Sequence, residues 1–172
     1  MRLFIAVNLD EDSRRRLAAL RDTLRSRSTR GRFTISENLH LTVAFLGECD
    51  PMKTNKIKDA MDSIQYEPFS LSIDRVGRFR RDGGDIWWAG TTDNETLKEM
   101  RSALVKELKA EGIDIEERFD AHITVAREVC TDERPHEVEP FTFKVDSVDL
   151  MRSERIDGIL TYTVIHTKGA RT

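Results

Sequence analysis

The tetrapeptide His-X-Thr-Val occurs twice in this chain, as His40-Leu41-Thr42-Val43 and as His122-Ile123-Thr124-Val125. The chain has only four histidines, so half of them sit in this one arrangement. Each copy lies in a short run of β-branched and apolar residues, which reads as a strand. Alternate side chains of a strand share a face, so in each copy the histidine and the threonine two positions on project together. A fold that sets the two strands side by side places two imidazoles and two hydroxyls around one cleft. That requirement constrains the architecture more than any other feature of the sequence.

The histidines are 82 residues apart, close to half of the 172-residue chain. The elements around them echo each other in order: helix, strands, motif strand, strands. The spacing therefore predicts two pseudo-symmetric lobes, an α+β fold of mostly antiparallel sheets with helices on the outer faces and the cleft between. Residues 1–172 are expected to form a single bilobal domain. A chain of this length buries roughly 70% of the surface that its unfolded form exposes, so neither disulfide nor metal is needed for folding.

Along the chain, Arg2 to Leu9 reads as a strand buried on both faces. A helix is expected from about Ser13 to Arg27, capped by Asp10 or Asp12, with Leu17, Leu20 and Leu24 as its apolar stripe. Its other face carries Arg14, Arg15, Arg16, Arg21, Arg25 and Arg27, which suits either a solvated surface or contact with an RNA backbone. In the strand from Leu39 to Leu46, Leu39, Leu41, Val43 and Phe45 fall on one face and His40, Thr42 and Ala44 on the other. A weaker helical stripe covers about Met52 to Ile64. Two strands follow, Phe69 to Phe79 and Asp85 to Thr92, around the turn Arg81-Asp82-Gly83-Gly84, and then a helix from Asn94 to Ala110 with Leu97, Arg101, Leu104 and Leu108 at helical spacing. The second motif strand spans about Asp120 to Glu128. Thr131 to Pro140 reads as a loop, and Phe141 to Arg152 and Leu160 to Thr167 as the last two strands.

Charged residues make up 34% of the chain but nearly cancel, leaving a net charge of −3. A large one-signed field is thereby excluded, though a small RNA end needs only a local basic cleft. Cys49 and Cys130 are too few and too separated for a disulfide scaffold, and read as reduced structural thiols, with a bridge between the lobes as the alternative. No ligand spacing supports a zinc site. Met1 to Leu9 lacks the features of a signal peptide, and no stretch approaches the ~20 apolar residues of a membrane span. The expected setting is the cytoplasm, and the expected state a monomer.

Opening a cyclic phosphodiester with water needs a base for the water, an acid for the departing oxygen and donors for the phosphate oxygens. Histidine titrates near neutrality, so one imidazole can be neutral while the other carries a proton. Threonine hydroxyls can donate to the non-bridging oxygens. The spacing alone does not say which histidine is acid and which is base.

Asn38-Leu39-His40-Leu41-Thr42-Val43-Ala44-Phe45-Leu46-Gly47-Glu48 closely resembles the first motif of the two-histidine phosphoesterases, in their RNA 2′,3′-cyclic phosphodiesterase or 2′-5′ RNA ligase branch. Phe119 to Arg127 resembles that branch's second motif, and the likeness extends to Arg2-Leu3-Phe4-Ile5-Ala6-Val7 and Trp87-Trp88-Ala89-Gly90. The resemblance implies His40 as proton donor to the leaving ribose oxygen, His122 as the base that activates water, and Thr42 and Thr124 as phosphate ligands. It implies a substrate ending in a 2′,3′-cyclic phosphate, tRNA fragments among them, a 2′-phosphate product, no metal or other cofactor, and in some members a weak 2′-5′ joining of tRNA halves. Ala121 replaces the proline usual before the second histidine, and Phe33 and Thr34 occupy the region where an aromatic residue, often tryptophan, commonly precedes the family's first motif.

Arg127 completes the second motif, yet strict alternation puts Ala126 in the cleft and Arg127 on the far face. A bulge would bring its guanidinium to the phosphate, and a structural ion pair is the alternative. Trp87 and Trp88 point to opposite faces of one strand, one into the core and the other toward a base or the cleft wall. Arg78, Arg80 and Arg81 form either a phosphate-binding rim or a solvated turn. His136 and His166 lack a partner threonine and read as bystanders. Two other functions use the same cleft: a small-molecule cyclic phosphodiesterase acting on, for example, ADP-ribose cyclic phosphate, and a non-catalytic RNA- or nucleotide-binding module.

Overall fold

The computed structural model describes residues 1–172. Nine strands and three helices follow in the order β1 (Arg2–Asn8), α1 (Glu11–Ser26), β2 (Ser28–Phe33), β3 (His40–Glu48), α2 (Pro51–Ser63), β4 (Phe69–Phe79), β5 (Asp85–Thr91), α3 (Glu95–Ala110), β6 (His122–Thr131), β7 (His136–Val145), β8 (Ser147–Ile156) and β9 (Ile159–Gly169). A single turn of 3-10 helix, Ser36–Asn38, precedes β3. Each helix begins at a side-chain cap. Asp10, Asp50 and Asn94 accept from the backbone N–H of Ser13, Lys53 and Leu97 and so satisfy donors that the first turn leaves free.

All strand pairs are antiparallel, in the sheet order β7-β4-β5-β6-β3-β1-β8-β9, with β2 also paired to β6. The two motif strands meet at the middle of this order through one bridge, Leu41 opposite Ile123. Those are the residues between His and Thr in each motif, so the contact sits on the pseudo-symmetry axis. On one side lie β3, β1, β8 and β9, and on the other β6, β5, β4 and β7. The repeated unit is strand, helix, motif strand: β1-α1-β3 and β5-α3-β6. The lobes do not follow the halves of the sequence, because β8 and β9 return from the C-terminus to pair beside β1. The helices also cross over. α1 packs on β2, β6 and β7, while α2 packs on α3 and β9. A cluster of 39 buried residues draws on strands and helices of both lobes, Leu3, Ile5, Leu41 and Leu150 among them with Ile73, Trp87, Ile123 and Phe143.

Two sequence expectations are corrected, and one strand forms where the sequence predicts no element. Ser28–Phe33 is a strand, although Ser-Thr-Arg-Gly-Arg carries no apolar alternation; β2 is held by its pairing with β6. The expected loop from Thr131 to Pro140 ends at His136, where β7 begins, because backbone pairing with β4 overrides the polar side chains. The expected strand from Phe141 to Arg152 is two strands separated at Asp146, whose carbonyl accepts from the Ala170 N–H. The five arginines of α1, and Arg27 just past its end, are engaged within the chain. Arg14 and Arg21 donate to the carbonyls of Ser36 and Thr34, Arg16 and Arg25 lie over the rings of Phe141 and Phe33, and Arg15 and Arg27 pair with Asp12 and Glu133. No helix is long and apolar enough to cross a membrane.

Candidate active site

A cleft of about 860 Å³ opens over the β3–β6 junction, and His40, Thr42, His122, Thr124 and Arg127 all line it. Within each motif the alternation holds: Leu41 and Ile123 are fully buried while the histidines and threonines stand half-exposed on the other face. His40 Nδ1 donates to the Asn38 carbonyl at 2.7 Å, and His122 Nδ1 donates to the Asp120 carbonyl at 2.6 Å. A carbonyl only accepts, so both rings carry their proton on Nδ1 and present Nε2 to the cleft. His136, also the first residue of a strand, makes the same bond to Arg134 far from the cleft. The tautomer is thus a property of where the strand starts, and the site is made by what Nε2 meets.

There the two halves differ. His40 Nε2 lies 2.8 Å from Thr42 Oγ1, and His40 is packed between Phe4 and Tyr162, at centroid distances of 4.9 Å and 5.2 Å. His122 Nε2 and the Thr124 hydroxyl carry no protein partner. The His122 ring meets Phe79 edge-on at 5.3 Å and Trp88 at 6.3 Å. Burial pushes the His40 pKa below the usual histidine range; its bond to the Asn38 carbonyl acts the other way, and the charges of His122, Arg127 and Arg14 lower it further.

Alternation breaks just past each threonine. In β6, Trp88 pairs with Thr124 but Trp87 pairs with Ala126, so Val125 is left over and both Val125 and Ala126 turn inward. This is a β-bulge, and it moves Arg127 to the cleft face, against the strict alternation of the sequence. Glu128 then takes a positive φ of 55°, and Gly84 lies against its backbone so closely that a Cβ there would sit 2.4 Å from the Glu128 carbonyl carbon. Arg127 makes no ion pair within the chain, so its guanidinium is free for a ligand.

β3 repeats the device. Thr42 pairs with Ala6 and Ala44 with Ile5, which leaves Val43 over and turns Phe45 into the cleft. The expectation that Phe45 shares the buried face with Leu41 and Val43 is therefore wrong, and the side chain is 68% exposed. Each bulge frees a carbonyl, and each is satisfied. Thr34 N–H donates to Val125 O at 2.9 Å, and Arg101 Nε donates to Val43 O at 3.0 Å. Arg101, an arginine on the apolar stripe of α3, also reaches the carbonyls of Glu116 and Glu117 and so fastens the 115–121 wall of the cleft to β3.

Arg2, Phe45, Asn38 and Tyr162 line the cleft and were not singled out as site residues by the sequence. The signal for Phe45 lay in extending the repeat to His-X-Thr-Val-Ala, followed by Phe45 in one copy and Arg127 in the other. Trp87 is core, and Trp88 lines a second recess of about 540 Å³ beside His122. Phe33 packs under Arg25, whereas Thr34 reaches the cleft. Arg78 and Arg80 pair with Asp85, and Arg81 covers Phe79. His166 is paired with Asp62 on α2, and both cysteines are free thiols, Cys49 in the core.

The sequence model of the LigT-like phosphoesterases matches residues 7–88 and again 91–161, one match for each copy of the motif. An RNA 2′,3′-cyclic phosphodiesterase of Archaeoglobus fulgidus is 29% identical over 170 residues, covering 98% of this chain and 94% of that protein. One from Methanothermobacter thermautotrophicus is 31% identical over 166 residues, covering 90% of each. Among solved structures, Escherichia coli LigT in complex with 3′-AMP superposes with a TM-score of 0.88 at 24% identity, over 99% of this chain and 98% of that one. A Thermus thermophilus protein gives 0.84 at 26% identity over the same shares. Paired motifs, antiparallel architecture and a match along nearly the whole sequence agree: this chain belongs to the LigT-like phosphoesterase family.

Proposed function

We propose that the chain is an RNA 2′,3′-cyclic phosphodiesterase that acts through His40 and His122 without a metal ion, as a monomer in the cytoplasm and as one bilobal unit over residues 1–172. The observation that carries this reading is the cleft-facing set of two Nε2 atoms, two threonine hydroxyls and one unpaired arginine, drawn from two equivalent strands. The curated relatives' names supply the substrate class.

The cyclic phosphate sits between the motif strands, its non-bridging oxygens held by Thr42, Thr124 and Arg127. His122 Nε2 takes a proton from water, and the water oxygen attacks phosphorus. The P–O3′ bond breaks, and His40 Nε2 delivers its proton to O3′. The product carries a 2′-phosphate and a free 3′-hydroxyl; His122 passes its extra proton to solvent and His40 regains one. In the resting state Thr42 donates to the neutral His40 Nε2; as the anion arrives the hydroxyl turns to the phosphate, and His40 Nε2 takes up from solvent the proton that it then delivers to O3′. A 5′-hydroxyl RNA end in place of water leads to a 2′-5′ phosphodiester by the same proton transfers.

The test is hydrolysis of an oligoribonucleotide ending in a 2′,3′-cyclic phosphate, with chelator present. His40→Ala and His122→Ala are each expected to lower kcat by roughly 10²–10⁴-fold, and the product should migrate as a 2′-phosphate. Undiminished turnover by both variants would sink the reading.

A further inference from the structure

We propose that the recess beside His122 seats an incoming nucleoside with a free 5′-hydroxyl, its base against Phe79 and Trp88 and its O5′ at His122 Nε2. This rests on the phosphodiesterase reading above and gives a nucleophile other than water a binding site of its own.

The two motif histidines have equivalent neighbours across the sheet, and those neighbours differ. Residues directly opposite each other in an antiparallel pair share a face. His40 and Thr42 lie opposite Asn8 and Ala6 of β1, whereas His122 and Thr124 lie opposite Gly90 and Trp88 of β5. In the first lobe this face is filled. Asn8 donates to Asp149 at 2.7 Å, and Phe4, Ala6 and Met151 form a buried cluster packed against Tyr162. In the second lobe two glycines leave it open. A Cβ on Gly77 would lie 2.4 Å from the Trp88 indole, and one on Gly90 would lie 2.8 Å from the Arg75 guanidinium carbon. The indole and the guanidinium thus lie against backbone where side chains would stand. A recess of about 540 Å³ remains beside His122, large enough for a small organic ligand.

The recess and the main cleft meet at His122, which lines both. The Phe79 and Trp88 rings are 5.3 Å and 6.3 Å from the His122 ring, within the reach of one nucleoside whose O5′ touches Nε2. The chemistry selects this side: His40 protonates O3′, so the nucleophile reaches phosphorus in line from the opposite, His122 side. Charge selects the nucleophile. Arg75, Lys98 and Arg118 already pair with Asp74, Asp93 and Asp120, so the recess offers a phosphate no free cation. A nucleoside ending in a 5′-hydroxyl brings no phosphate there, and its base needs only aromatic surface. In the joining step His122 Nε2 takes the proton of the 5′-hydroxyl and O5′ bonds to phosphorus. The P–O3′ bond breaks, His40 Nε2 delivers its proton to O3′, and the product is a 2′-5′ phosphodiester.

The experiment gives the protein uridine 2′,3′-cyclic phosphate with one of two acceptors: adenosine, or methyl riboside, which has the 5′-hydroxyl but no base. Joined and hydrolysed products arise from the same complex of protein and donor, so damage to the histidines or to folding cancels from their ratio. At equal, subsaturating concentrations the ratio should be about tenfold higher with adenosine, the size of one base stack. Phe79→Ala should bring the adenosine ratio down to the riboside one without moving the latter, and Phe79→Tyr should restore it. Thr92→Trp, at an exposed position of the recess, should fill the space and lower the adenosine ratio as well.

Hydrolysis with no joined product, equal ratios for the two acceptors, or an adenosine ratio that Phe79→Ala leaves unchanged overturns the acceptor site and leaves the phosphodiesterase reading standing. If the donor is not turned over at all, that reading falls. The recess is then judged by tryptophan fluorescence under titration with adenosine, because Trp88 lines it and Trp87 is in the core. A saturable quench that Phe79→Ala weakens about tenfold supports the nucleoside seat, and the absence of a quench overturns it.

Discussion

At the scale of single residues, the two motif histidines have equal sequence surroundings and unequal environments. His40 is wedged between Phe4 and Tyr162 and bonded to Thr42, whereas His122 has a free Nε2. Burial is the main reason that His40 holds its proton less tightly than an ordinary histidine, whose value is 6.5, and the nearby charge of Arg127 adds to it. In an NMR titration of the free protein the His40 ring should therefore titrate below 6.5, and Arg127→Met should move it upward. Movement in the other direction would show that the guanidinium does not face His40. The same depression makes stability pH-dependent. The unfolded chain takes up this proton more readily than the folded one, so His40 contributes no loss above 6.5, and stability falls as pH drops from there through the depressed value. Denaturant unfolding at pH 7.5 and pH 5 should show His40→Gln losing less stability on acidification than the unsubstituted protein. A phosphate anion bound beside His40 works against the depression and favours the charged ring.

At the scale of elements, the site is built by two bulges that end the alternation of β3 and β6 one residue past the threonine. Strand periodicity read from the sequence put Leu41, Thr42, Ile123 and Thr124 on their correct faces and failed for Phe45 and Arg127. A bulge leaves no period-two trace; it shows only in pairing, where Val43 and Val125 have no partner. What keeps each bulge is the capture of its freed carbonyl, and Arg101 does this for β3 from another helix. Arg101→Met should leave the carbonyls of Val43, Glu116 and Glu117 without donors and cost about 3 kcal/mol of stability or more, read as a drop in Tm. Loss of turnover beyond the loss of folded protein is expected as well, because the 115–121 wall and the Phe45 turn are freed together. A variant with unchanged Tm would mean that these carbonyls find water instead.

At the scale of the whole molecule, the lobes are interlocked rather than joined end to end. The chain starts in one lobe, crosses to the other with α1, and closes the first with β8 and β9. Cooperative unfolding of one unit is the expected consequence. Both tryptophans, Trp87 and Trp88, lie on β5, so fluorescence reports one lobe while far-ultraviolet circular dichroism reports both. The two transitions should coincide in guanidinium. Separate midpoints would show lobes that fold independently.

The sequence by itself determined the two His-X-Thr pairs, their strands, their equivalence and the α+β class, because strand alternation and motif spacing are local and periodic. Only the tertiary structure decided the rest. It decided that the strands meet at Leu41 and Ile123, that β8 and β9 return to the first lobe, that β2 and the start of β7 are strands, and that Phe45 and Arg127 face the cleft. Each of these depends on backbone hydrogen bonds between segments far apart in the chain. Such bonds are formed by N–H and C=O groups that every residue carries, and so they leave no mark in the side-chain pattern.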